Sequence, residues 1–278
     1  MGWRGTVRRP VTPPMVIEMQ ALADYIHIMS KPNPKTRLFV DSDIGSGAIV
    51  SPTNDQQHYL TTVMRLGDGD AVALFNGRDG EWLSQVTMTG RRSCDLVVSA
   101  QTRVQTVSPD LWLLFAPVKK ARLDFIAQKA SEMGCSRIWP VRTDYTQVSR
   151  VNDDRMLANA VEAAEQTERL DVAEVMDYTL LPAAISALDD SRTLVFCDEA
   201  VAGERLHNAV DVLAAAGPIS RAAILIGPEG GFSADERLLL QKHENCLKVS
   251  LGPRILRADT AAIVALTCFQ SVCGDWTA

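Results

Sequence analysis

From residue 36 to residue 107 the apolar positions come in short runs at 37–40, 71–75, 82–87 and 96–99, alternating with polar residues and closed by turn formers. Alternation with a period of two turns one face of a strand toward a core and the other toward water. Asn76-Gly77 and Asp79-Gly80 separate two of these runs, and such pairs are hairpin punctuation because they accept positive φ with little strain. The pattern predicts a small β-barrel, broken by one helix over 55–66.

Ser108-Pro109-Asp110 ends that region, and the periodicity then changes. Apolar runs at 111–115, 137–141, 193–197, 222–226 and 247–251 read as strands. Helical spacing appears between and after them, at 121–133, 153–168, 204–215, 234–242 and 260–272. Strands alternating with helices predict an α/β domain with a parallel sheet. Ser233 and Glu236 stand at the spacing of a capping box, which sets the start of one helix. The chain therefore divides into an extension (1–34), a barrel (35–107) and an α/β domain (108–278).

Two loops of the α/β domain carry unusual chemistry: Ile226-Gly227-Pro228-Glu229-Gly230-Gly231-Phe232 and Leu251-Gly252-Pro253-Arg254-Ile255-Leu256-Arg257. Each follows a predicted strand and precedes a helix, so both lie at the carboxyl edge of the sheet, where open α/β sheets bind ligands. Neither has the Gly-x-x-x-x-Gly-Lys pattern that wraps phosphates, which suits a ligand without phosphate. Glycines allow close backbone approach, and Pro228 and Pro253 restrict the loops before binding.

The two loops resemble the cofactor loops of the SPOUT methyltransferases, and in detail those of the RsmE family. The likeness extends through Lys119-Lys120, the segment from Gln128 to Cys135 and the segment from Glu162 to Arg169. In the first half it includes His58-Tyr59-Leu60, Val63-Met64-Arg65-Leu66 and Gly69-Asp70. One departure stands after Arg257, where Ala258-Asp259-Thr260 replaces the commoner Thr-Glu-Thr. The resemblance implies a PUA-like barrel that binds RNA, followed by a SPOUT α/β domain with a C-terminal trefoil knot. It further implies a cytoplasmic homodimer that methylates N3 of a uridine in 16S ribosomal RNA with S-adenosylmethionine and no metal.

On that reading Ile226, Gly227, Glu229, Gly230, Leu251, Gly252, Ile255 and Leu256 are expected to hold the cofactor, with Ile255 and Leu256 as apolar walls. Uridine N3 must lose its proton before it attacks a sulfonium methyl group. Arg254 is expected to stabilise the resulting anion and Glu229 to accept the proton. Arg37, His58, Arg65, Arg78, Lys119, Lys120, Arg122 and Arg257 are the expected RNA contacts. Glu162, Glu165 and Arg169, which share a helix face, are expected to shape the pocket.

Charge refines the picture. The net charge is −6, yet residues 1–150 hold 18 Lys and Arg against 14 Asp and Glu, and residues 151–278 hold 10 against 20. A surface for phosphates would lie mainly in the first half. No apolar run approaches the roughly eighteen residues that span a bilayer, and the six cysteines form no Cys-x-x-Cys pair, so no membrane or metal partner is expected. Residues 1–34 combine Arg4, Arg8 and Arg9 with Pro10, Pro13 and Pro14. They read as an over-long start, with Met29 as the alternative first residue, or as a disordered extension. The competing function is a non-catalytic RNA-binding or ribosome-assembly protein that keeps a degenerate enzyme domain.

Overall fold

The computed structural model describes residues 33–277, so the expectations for residues 1–32 lie outside the described residues. The first sheet is built from β1 (Thr36–Phe39), β2 (Ile49–Val50), β3 (Ala71–Phe75), β4 (Glu81–Met88) and β5 (Cys94–Arg103), in the order β1-β3-β4-β5-β2. β1 runs parallel to β3 and the other pairings are antiparallel. Leu38, Val50, Leu74, Val86 and Leu96 bring all five strands into one apolar core. The seam lies between β1 and β2, which no ladder joins among the described residues. Side chains satisfy the free edge of β1 instead: the Phe39 amide donates to Glu165 Oε1 at 2.9 Å, and Gln56 Nε2 donates to the Phe39 carbonyl at 2.7 Å.

The helix expected over 55–66 is shorter and irregular. It starts as α1 (Asn54–His58), capped by a Thr53–Gln56 capping box, and widens into a π turn over Tyr59–Val63. The turn seats Leu60 fully in the barrel core. The turn between β3 and β4 forms as its residues dictate. Asn76 Oδ1 accepts from the amides of Arg78 and Asp79, and Gly77 and Gly80 take φ of 79° and 80°.

The second sheet contains β6 (Asp110–Phe115), β7 (Arg137–Arg142), β8 (Glu174–Val175), β9 (Thr179–Leu180), β10 (Thr193–Cys197), β11 (Arg221–Ile226) and β12 (Cys246–Val249). Its order is β12-β10-β11-β6-β7-β8, with β9 also on β7, and every pairing is parallel. The helices are α2 (Lys120–Glu132), α3 (Asp153–Gln166), α4 (Leu181–Ser186), α5 (Ala209–Ala216), α6 (Ala234–Gln241) and α7 (Ala258–Val272). Alternate residues of β11 explain the layering. Ala222, Ile224 and Ile226 join the core under α2, α3, α5 and α7, while Ala223 and Leu225 join the core under α4 and α6. A parallel sheet covered on both faces needs such continuous apolar strands. The helix expected from residue 204 begins only at Ala209, because the Asn208 side chain accepts from the amides of Val210 and Asp211 and a 3₁₀ turn occupies Arg205–His207.

Two arginines join the layers by capping helix ends. Arg37 of β1 donates to the carbonyls of Ala164 at 2.9 Å, Glu165 at 3.1 Å and Arg169 at 2.7 Å, and pairs with Glu81 at 2.8 Å. The last carbonyls of a helix lack internal partners and carry partial negative charge, so a guanidinium suits the end of α3. Arg169 repeats the device on α2, donating to the carbonyls of Ser131 at 2.6 Å and Cys135 at 2.9 Å. We expect Arg37→Met to destabilise the protein by about 3 kcal/mol or more, because three backbone carbonyls lose their donor and Glu81, whose side chain is only 11% exposed, loses its nearer cation and keeps Thr102 Oγ1 at 2.8 Å and Arg103 at 3.8 Å. Urea denaturation checks this, and a loss below about 1 kcal/mol, the scale of an exposed pair, would remove the clasp from the account.

Candidate functional site

β12, β10 and β11 are neighbours and parallel, so the loops that follow them emerge at one edge of the sheet. Each loop is held differently. Phe232 anchors the loop after β11: it is buried and packs edge-on against Phe196 at 5.0 Å, and a Cβ on Gly227 would strike its ring. Gly231 turns back, donating to the Pro228 carbonyl at 2.9 Å with φ of 69°, and the Glu199 carboxylate fills the space its Cβ would take.

The loop after β12 turns at Gly252, where φ is 110° and the space beside Cα is open. Ser250 Oγ accepts from the amides of Gly203 at 3.2 Å and Gly252 at 3.3 Å, and the Gly203 amide donates to the Gly252 carbonyl at 3.0 Å. These bonds tie it to the loop after β10. That loop is fixed in turn by Arg237 of α6, which reaches Asp198 at 3.1 Å, Glu199 at 2.6 Å and the Phe232 carbonyl.

Between the three loops lies a pocket that opens to solvent at its mouth. Of the predicted cofactor residues, Ile226, Gly227, Glu229, Leu251, Gly252, Ile255 and Leu256 line it, as does Arg254. Ile255 is 78% exposed, so it forms rim rather than wall. Gly230 is a correction: it faces Tyr145 in a neighbouring cleft and does not line this pocket.

Pro228, Val249, Ala258 and Ala261 also line it, as do four residues at and after the end of β10: Cys197, Asp198, Glu199 and Ala202. Sequence reasoning missed them, although the strand expected at 193–197 ends at the same sheet edge. Burial pushes the Cys197 thiol up, so it stays protonated and serves as apolar wall.

Arg254 is exposed at the mouth and makes no ion pair among the described residues. Glu229 is paired: Arg122 Nη1 lies 3.5 Å from it, and Arg122 Nε lies 3.8 Å from Asp259. Arg122, expected on RNA, thus bridges two carboxylates at the site. Arg37 and Arg169 are corrections as well, since their guanidinium groups are committed to helix ends. Glu162 and Glu165 line a cleft between α3 and the barrel, away from the three loops. Burial holds the Glu165 carboxyl above its usual range, partly offset by the Phe39 amide and Arg37.

His58 and Arg65 are exposed, and Arg78 is half-exposed while donating to the Asp41 carbonyl at 2.9 Å. Lys119 precedes α2 and Arg257 precedes α7, both exposed. The Lys120 side chain lies outside the described ones. Among the described residues no His, Cys, Asp and Glu cluster could hold a metal, and no helix is long and apolar enough to cross a membrane.

A family model described as an RNA methyltransferase domain matches residues 106–270, and one described as an RNA methyltransferase PUA domain matches residues 52–99. Ribosomal RNA small subunit methyltransferase E of Rickettsia conorii is 31% identical over 235 residues, spanning 83% of this chain and 93% of that protein. The chain belongs to the RsmE family of RNA methyltransferases. The Bacillus subtilis member is 27% identical over 228 residues, spanning 78% of this chain and 88% of its own length.

Two solved structures have the same fold. A Legionella pneumophila methyltransferase in complex with bound SAM aligns with a TM-score of 0.75 at 25% identity, covering 87% of this chain and all of that one. The Neisseria gonorrhoeae RsmE bound to S-adenosyl methionine also gives 0.75, at 22% identity, covering 87% and 99%. The fold is therefore an RsmE-type SPOUT α/β domain preceded by a PUA-like domain.

In this family member the loop after β10 depends on one cation. Arg237→Leu leaves Asp198, whose side chain is 1% exposed, without a cation and with only the Ala200 amide at 3.1 Å donating to it. We expect a loss of about 3–5 kcal/mol in chemical denaturation; a loss under about 1 kcal/mol would show that the loops hold themselves.

Proposed function

We propose that the protein methylates N3 of a uridine in the 16S RNA of the small ribosomal subunit, using S-adenosylmethionine, as a cytoplasmic homodimer with the knotted topology of its family. The observation that carries the reading is the three-loop pocket at the carboxyl edge, with an arginine at its mouth, Arg254, that makes no ion pair among the described residues. Family membership and the names of the relatives support it.

The pocket suits that cofactor. Ile226, Val249, Leu251 and Ala258 give apolar walls, Gly252 leaves open space beside its backbone, and Glu199 offers a carboxylate to a cationic ligand. Backbone groups of both Gly-Pro loops would hold the adenine, and Glu199 the charged portion. When bound, the cofactor supplies an electrophilic methyl group on a sulfonium.

The remaining work falls to side chains. Glu229 accepts the N3 proton, and Arg122 steadies its carboxylate while Asp259 steadies Arg122. The N3 lone pair would then take the methyl group, the carbon–sulfur bond breaking with its electron pair left on sulfur, as the charge on the flanking O2 and O4 atoms is drained. Until that moment Arg254 stabilises the anion spread over them. Lys119, Lys120, Arg257 and the barrel residues His58, Arg65 and Arg78 take phosphates, which fix position without reading sequence.

Incubating the protein with small ribosomal subunits and S-adenosylmethionine, then analysing nucleosides by mass spectrometry, should yield N3-methyluridine. No methylation, or a different methylated nucleoside, contradicts the reading. Arg254→Ala should lower kcat by about 10²-fold or more while calorimetry shows unchanged cofactor affinity. Unchanged kcat would remove Arg254 from the chemistry.

A further inference from the structure

One aromatic beside the pocket has no structural task. Tyr145, between β7 and α3, is 51% exposed, and its hydroxyl makes no hydrogen bond among the described residues. Its ring base rests on Gly230: a Cβ there would lie 3.1 Å from Tyr145 Cβ and 3.5 Å from Cγ.

The turn that presents Tyr145 is rigidly held. The Thr143 amide donates to Thr146 Oγ1 at 2.9 Å and the Thr146 amide to the Thr143 carbonyl at 3.1 Å. The Asp144 amide donates to Glu236 Oε1 at 2.8 Å, and Glu236 is itself buried in the capping box of α6. An exposed ring on so constrained a turn loses little entropy when a flat ligand stacks on it.

The cleft beneath the ring is lined by Asp144, Thr146, Gln147, Glu229 and Gly230, and it shares Glu229 with the three-loop pocket. The two cavities therefore share Glu229 as a lining residue, so a planar group on Tyr145 lies next to the three-loop pocket. An enzyme acting on a ring nitrogen of a base must take that base out of its stack, and unstacked RNA bases lie on aromatic side chains.

Resting on the function proposed above, we infer that Tyr145 is the stacking platform for the target base, holding it in the Glu229 cleft with its reacting edge toward the cofactor pocket. The ring supplies affinity and alignment. It does not supply base identity, because every base offers a π face.

The test compares full-length wild type, Tyr145→Ala and Tyr145→Phe. Three quantities are measured: kcat/KM for small-subunit RNA, RNA affinity with S-adenosylhomocysteine bound, and S-adenosylmethionine affinity. Tyr145→Ala should lower kcat/KM and RNA affinity by roughly 10- to 100-fold, Tyr145→Phe should stay close to wild type, and cofactor affinity should be the same in all three. Wild-type behaviour in Tyr145→Ala overturns the inference. So does equal damage in Tyr145→Phe, which would assign the effect to the hydroxyl. The comparison is made on whichever nucleotide the wild type methylates, so a product other than N3-methyluridine sinks the proposed function and leaves the Tyr145 result standing. The affinity arm needs no turnover.

Discussion

The guanidinium of Arg237 holds the site together. Asp198 and Glu199 are adjacent carboxylates at the end of β10, one buried and one half-buried, and two such charges on a sheet edge repel each other and lose hydration. Arg237 donates from Nε to Asp198 and from Nη2 to Glu199, and its Nη1 donates to the Phe232 carbonyl. That single side chain connects the loop after β10 to the end of the loop after β11. The loop after β12 follows through Ser250 and Gly203. Once Glu199 is fixed, its carboxylate occupies the place of a Gly231 Cβ, so the glycine is required by space as well as by its positive φ.

The same economy appears where the two domains meet. Arg37 and Arg169 cap the carbonyl ends of α3 and α2, and Glu165 closes the edge of β1. Arg37 and Glu165 hold the PUA-like domain against the α/β domain, while Arg169 braces α2 within the latter. Among the described residues, the cations of the first half left for RNA are those exposed on the barrel and at the helix starts. The second half, with 10 Lys and Arg against 20 Asp and Glu, has little general attraction for phosphate.

Legibility in the sequence followed the range of the interaction. The β11 strand, its Gly-Pro loop and the Ser233–Glu236 cap are local signals, and they form as read. Asn76-Gly77 and Asp79-Gly80 are local in the same way. β8, β9 and α4 were not legible because strands of two residues have no periodicity and a six-residue helix has little. The roles of Arg37, Arg122 and Arg169 depend on partners 34 to 132 residues away in the chain; residue type alone assigns Arg37 and Arg122 to phosphate, and helical spacing assigns Arg169 to the pocket. Glu199 escaped notice because its loop lacks the Gly-Pro signature, yet it completes the pocket. Tyr145 gave no signal at all until Gly230 was placed beneath it.

The most direct test of the central claim, that three loops at one sheet edge form the S-adenosylmethionine site, is amide hydrogen exchange with and without that cofactor, read by mass spectrometry. The account predicts slowed exchange in the segments 198–203, 226–231 and 250–256, with the barrel strands unchanged. Protection confined to other segments, or none in the loop after β10, would contradict it.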